Sequence, residues 1–190
     1  MLDADSSAEE LFKPYAGSWP IKMLGWFSKL GDQPELRTMA GAAILAGIFV
    51  PNDRLVRAGA RAMLAHEAAT AAKDALKLNV DRTRPRSAAK RSARKPKKGE
   101  HTAKERTSFP SGHSAGAIAA ARAFSREYPE YAPVVVGAAA LIAASQVPRC
   151  AHYPTDVAAG LAIGLAAEEA VNLLWDAAGM EERSVSTEAA

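Results

Sequence analysis

The chain has 190 residues, 48% of them apolar, which is enough for one domain with a buried core. It holds 43 alanines and only 6% aromatics, a balance that favours helices and excludes an all-β sandwich or barrel. One cysteine, Cys150, excludes a disulfide framework and a cysteine-rich zinc site. The net charge of +3 is unevenly spread. Residues 82–106 carry 11 of the 24 Lys+Arg and 2 of the 21 Asp+Glu, a local +9, and the remaining chain sums to −6.

In chain order, residues 1–35 read as an N-terminal arm. It opens MLDADSSAEE, acidic and polar, without the basic and then apolar pattern of a secretory signal, so no cleavable signal is expected. Within it, WPIKMLGWFSKL (19–30) has two Trp, a Phe and two Lys, a composition that suits an amphipathic helix at a membrane interface or an arm packed on the body. Five helical stretches follow, over about 34–50, 53–80, 111–128, 132–147 and 155–175. The basic segment 81–107, with Pro85 and Pro96, reads as a loop, and 179–190 as a polar tail. The expected fold is all-α: a bundle of about five core helices over 36–178, plus the arm. The apolar runs 39–50 and 133–147 are short of the ~20 residues that cross a bilayer, so hydropathy gives one or two marginal spans.

Three short stretches carry chemistry. Lys77 and Arg84, seven apart with Pro85 after the Arg, offer a point charge and a planar fork for phosphate oxygens. Ser108-Phe-Pro-Ser-Gly-His113-Ser reads as a helix start: Ser111 is a good N-cap, Gly112 lets an anion approach free N–H groups, and His113 stands beside that anion as a proton donor. In His152-Tyr-Pro-Thr-Asp156, a carboxylate capping the fifth helix can reach the imidazole just before it and fix its tautomer. Each stretch alone has a bland reading, as a solvated helix end, a capped helix or a chance pair.

In this order, K-x6-RP, PSGH and H-x3-D resemble the type-2 phosphatidic acid phosphatase and vanadium haloperoxidase superfamily, over roughly residues 36–175. The resemblance implies a helical bundle around one phosphate pocket. It implies His152 as the nucleophile of a phosphohistidine intermediate, Asp156 orienting it and His113 as the acid for the leaving group. It places Lys77, Arg84, Ser111 and the Gly112 amide on phosphate oxygens, and it implies no metal or other cofactor. The family's third motif usually has Ser-Arg, with the Arg six residues before the His; here that pair is Ser145-Gln146, and we expect Arg149 to supply the missing guanidinium.

The expected function is a phosphatase acting on a phosphomonoester or pyrophosphate, a lipid phosphate in the favoured case, at a bacterial inner membrane. A vanadate-dependent haloperoxidase and a degenerate phosphate- or lipid-binding protein are the alternatives. Gly112–Gly116 also fits the G-x-S-x-G elbow of α/β-hydrolases, but no strand pattern precedes it. The basic run 90–98 has no interleaved aromatics to stack bases; it reads first as a solvated loop, then as an attractor of anionic headgroups, and last as a nucleic-acid site.

Overall fold

The computed structural model describes residues 2–88, 97–98 and 107–179, so most of the basic run and the polar tail lie outside the described residues. Seven α-helices run α1 (Leu2–Phe12), α2 (Trp19–Phe27), α3 (Gln33–Phe49), α4 (Asp53–Lys77), α5 (Gly112–Glu127), α6 (Ala132–Ser145) and α7 (Pro154–Ala177). The five bundle helices α3–α7 match the expected stretches to within a few residues. Their boundaries follow local chemistry. Pro34 and Pro154 sit in the first turns of α3 and α7, and Asn52 caps α4 by accepting the Leu55 N–H at 3.0 Å.

Two features differ from the sequence reading. Eleven residues of the arm, Leu2–Phe12, form a helix, α1. Inside the expected basic loop, β1 (Val80–Asp81) pairs antiparallel with β2 (Lys97–Lys98).

Alanine sets the packing distances. Ala65 and Ala69 of α4 meet Ala115 and Ala119 of α5 in a fully buried seam, with Ala167 of α7 beside them. Small side chains let helix axes approach closely, so the ends of these helices are held in tight register. On α7, a Cβ at Gly160 or Gly164 would run into the carbonyl oxygens of Ser111 and Ala115, so only glycine permits this crossing. Glu168, which interrupts the apolar pattern of α7, is buried between Arg126 at 2.8 Å and Arg122 at 3.2 Å. Its charge is therefore paired within the bundle.

The outside is apolar in places: Phe49 is 82% exposed, Trp19 72% and Leu174 71%. Among the described residues, α7 is the one helix long and apolar enough to cross a membrane.

Candidate active site

Antiparallel packing of neighbouring helices fixes where the motifs meet. The C-terminus of α4, the N-termini of α3, α5 and α7 and the turn after α6 all fall at one end of the bundle. All eight expected site residues lie there, as do several that the sequence reading missed.

His152 precedes α7 and is 2% exposed. Its Nδ1 lies 2.7 Å from the carbonyl oxygen of Ser108. A carbonyl can only accept, so the proton sits on Nδ1 and the lone pair on Nε2. Nε2 lies 3.5 Å from Nη1 of Arg84. Burial holds the imidazole below its ordinary pKa; Asp156 opposes this, and Arg84 and Lys77 reinforce it. The ring is therefore neutral near pH 7, as a nucleophile requires.

Asp156 is not the direct partner that the H-x3-D spacing suggested. Its Oδ2 is 3.7 Å from Nδ1. α7 begins at Pro154, so Asp156 stands in its first turn rather than at its cap, and its oxygens are taken up elsewhere. Oδ2 accepts from the Ser108 hydroxyl at 2.5 Å and from the Tyr153 N–H at 3.0 Å, and Oδ1 accepts from Arg82. The carboxylate holds the Ser108 segment, and the Ser108 carbonyl orients the ring.

Two cations lie near His152, Arg84 at its Nε2 and Lys77 close enough to act on the ring electrostatically. Arg84 is buried and donates to the Ala151 carbonyl at 3.3 Å. Lys77, the last residue of α4, is half-buried, and its ammonium is pushed down to about 8 by burial and by the nearby Lys73 and Arg84. Ser111 caps α5: its Oγ accepts the Ser114 N–H at 3.4 Å and shares a proton with the Ser114 hydroxyl at 2.8 Å. The first-turn N–H groups of α5 thus open towards this end, where an anion is favoured. A Cβ on Gly112 would sit 3.0 Å from Cδ of Lys73, so glycine makes room there for a buried lysine one turn before Lys77.

His113, in the first turn of α5, places Nε2 2.6 Å from Oδ1 of Asp32. Burial pushes its pKa down to about 4; Asp32 pulls it up, and His152, Arg149 and Arg84 push it further down. Asp32 occupies the N-cap of α3 yet makes no side-chain cap bond, because its carboxylate is turned to His113. A cap-like Asp before Gln-Pro was the only trace of it in the sequence.

A buried network lies behind His152. Arg82 stacks over the Tyr153 ring at 4.1 Å and reaches Asp156, the Thr155 hydroxyl at 2.7 Å and Oδ2 of Asp5 at 2.6 Å. Asp5 of α1 also accepts the Thr155 N–H at 3.1 Å and its hydroxyl at 2.7 Å.

The sequence pattern of the PAP2 superfamily matches residues 58–178, which takes in every one of the three motifs. This chain belongs to the PAP2 superfamily. Two lipid A 1-phosphatases, from Rhizobium etli and Rhizobium johnstonii, are 44% identical to it over 57 residues. That stretch is 30% of this chain and only 25% and 23% of those proteins, so the chain matches about a quarter of their length. The fold is similar to that of a transmembrane PAP2-type phosphatidylglycerolphosphate phosphatase from Bacillus subtilis. The TM-score is 0.66 at 23% identity, covering 95% of this chain and 86% of that one. The all-helical PAP2-type bundle expected from the motifs is the observed fold.

One PAP2 feature is altered, the guanidinium of the third motif. Gln146 is fully buried, and its Nε2 turns back to the Ile142 carbonyl at 3.0 Å and the Ser145 hydroxyl at 3.2 Å. Its Oε1 accepts from Nη1 of Arg149 at 3.4 Å, and the same nitrogen donates to Ser28. The Gln146 carbonyl accepts the N–H groups of Ala151 and His152, at 3.1 and 3.2 Å, and Cys150 takes a left-handed φ of 50°. The turn therefore doubles back and lays the Arg149 head group against the Gln146 amide.

Proposed function

We propose that this PAP2 protein hydrolyses a lipid phosphate through a phosphohistidine on Nε2 of His152. The observation that carries the reading is the tautomer. With Nδ1–H donated to the Ser108 carbonyl, the Nε2 lone pair points at the Arg84 guanidinium, where a phosphoryl group would bind. Nε2 attacks phosphorus, the bond to the leaving oxygen breaks, and His113 gives that oxygen its proton. His113 then takes a proton from water, whose oxygen attacks phosphorus and releases phosphate and neutral His152. Lys77, Arg84, Ser111, the Gly112 amide and Arg149 hold the non-bridging oxygens. The donor set is cationic and amide-based, and no step is assigned to a metal.

Three observations favour a lipid substrate and placement at a membrane. The curated relatives are named as lipid A 1-phosphatases. A cavity of about 310 Å³, lined by Leu30, Leu36, Ala40, Phe124 and Ile142, is almost wholly apolar. Its Leu30–Ile142 end borders Gly31, which lies against both Ile142 and the His113 ring, so an apolar chain there would present its head group to the site. On α2, Trp19, Met23 and Trp26 are exposed on a helix that also carries Lys22, a combination that favours the lipid–water interface.

The test is phosphate release by the detergent-solubilised protein from a lipid monophosphate, a lipid diphosphate and a soluble aryl phosphate, with vanadate as inhibitor. Release from the lipids, blocked by vanadate, is expected. Binding without release would identify a degenerate binding protein, and halide oxidation with vanadate and peroxide a haloperoxidase.

The acid role of His113 makes a separate prediction. Its pKa of about 4 means that the protonated form in the free enzyme falls tenfold for each pH unit above that value. The ratio of kcat/KM on alkyl to aryl phosphates should fall as pH rises from 4 to 7, because only the poor leaving group needs the proton. In His113→Ala, the alkyl rate should drop by roughly 10²-fold or more and the slope should vanish. Equal losses on both substrates would remove His113 from that role.

A further inference from the structure

The N-terminal helix enters the site through one carboxylate. Asp5 is 2% exposed, lies outside the three motifs, and uses both its oxygens on groups next to His152. Oδ1 accepts the Thr155 N–H in the first turn of α7, where a negative charge is favoured. Oδ2 accepts from Arg82 and from the Thr155 hydroxyl. Arg82 is thereby fixed between two buried carboxylates, Asp5 and Asp156. We infer that Asp5 is a positioning residue for His152, acting through Arg82 and Asp156 to keep the Ser108 carbonyl on the imidazole. The inference rests on the phosphohistidine reading above, and it makes docking of α1 part of site assembly.

The physical reason is charge balance. Arg82 is shared between two anions, so Asp156 keeps enough negative charge to hold the Ser108 hydroxyl and to support the ring at 3.7 Å. Without Asp5, the full guanidinium charge falls on Asp156. The groups facing His152 are Asp156 from α7, which favours the imidazolium, and Arg84 and Lys77, which disfavour it; His113 from α5 is disfavoured by His152 in turn. Asp5 acts on this set at one remove: without its charge, Arg82 is balanced by Asp156 alone, and less of that carboxylate's charge is left to favour the imidazolium.

Asp5→Asn tests this at constant size, since its side-chain oxygen can still accept the Thr155 N–H. The readouts are the His152 imidazole pKa by NMR titration in micelles, assigned with His152→Gln, and the separate values of kcat and KM on a soluble phosphate. The pKa should fall by about 0.5 to 1, the effect of one charge removed from a buried cluster. kcat should fall roughly 10-fold with KM within about twofold, as for partners one layer behind a reacting group. Asp5→Glu restores the charge and should return the pKa to its wild-type value while kcat stays several-fold low.

Lys13→Ala is the control for mere docking of α1. Lys13 anchors that part of the chain to Glu9 at 3.0 Å and to the Ala88 carbonyl at 3.1 Å, away from the Arg82 network. It should lower thermal stability and leave the His152 pKa unchanged. An unchanged pKa in Asp5→Asn, or the same shift in Lys13→Ala, would overturn the inference. If Asp5→Asn does not fold, Asp5→Glu decides, because a wild-type kcat in that variant also overturns it. A wild-type protein without phosphatase activity would sink the functional reading, and the imidazole titration would still decide the role of Asp5.

Discussion

His152→Gln is expected to lower kcat/KM by at least about 10⁴-fold on every phosphate substrate, the scale seen when a covalent nucleophile is removed. The same variant should lose the phosphoenzyme that quenching traps in wild type, a species stable in base and labile in acid. The loss belongs to chemistry and not to folding, because glutamine can donate its amide N–H to the Ser108 carbonyl that Nδ1 now serves at 2.7 Å. An unpaired buried carbonyl would cost about 1–3 kcal/mol, so the thermal midpoint of the variant should be measured beside its activity. Trapped phosphoenzyme in His152→Gln would place the nucleophile elsewhere. Among the described residues at this end, the His113 imidazole is the other ring able to carry it.

Arg149→Ala is expected to cost roughly 10²-fold in kcat/KM. A charge-assisted contact that strengthens as the phosphoryl group becomes planar is worth a few kcal/mol. Arg149→Lys should be nearly as harmful, because lysine lacks the planar fork that holds two oxygens at once. The structure sharpens the partner experiment. Gln146 is fully buried and its side-chain Oε1 meets the Arg149 head group, so Gln146→Ala should loosen the guanidinium and cost only several-fold. Gln146→Arg should lower activity further, since it buries a second guanidinium against the first. The opposite pattern, a silent Arg149→Ala with a gain in Gln146→Arg, would return the third-motif function to position 146. Initial rates on one soluble phosphate for these four variants separate the two outcomes.

The different fates of the expected partners show what could be inferred in advance. Asp156 was found by spacing, and it does stand 3.7 Å from the imidazole, but the hydrogen bond to Nδ1 comes from a backbone carbonyl. A main-chain acceptor has no residue type, so no pattern of side chains could have revealed Ser108 in that role. Asp32 carries a cap-like signal, yet its carboxylate leaves the cap for an imidazole on another helix. α1 was unreadable for a related reason. LDADSSAEELF has few apolar positions, and its order depends on partners 77 and 150 residues away in the chain.

Composition and local chemistry by themselves determined the elements of the bundle. Alanine runs bounded by Pro51, Pro129, Asn52, Ser111 and Pro154 can be little other than helices, and the short connections from α3 to α4, α5 to α6 and α6 to α7 make those neighbours antiparallel. That alternation also puts Ser111, His113, His152 and Asp156 at one end, because each lies at or just beyond a helix terminus on the same side; across the long connection 78–111, the packing of α4 on α5 brings Lys77 to that end. Tertiary structure alone decided who holds whom within that end. The Asp5–Arg82–Asp156 chain, the Asp32–His113 pair and the Arg149–Ser28 contact each join side chains from separate elements. Hydrogen bonds of a few ångströms depend on helix register, and register here is set by glycine and alanine contacts between helices, which local sequence patterns do not encode.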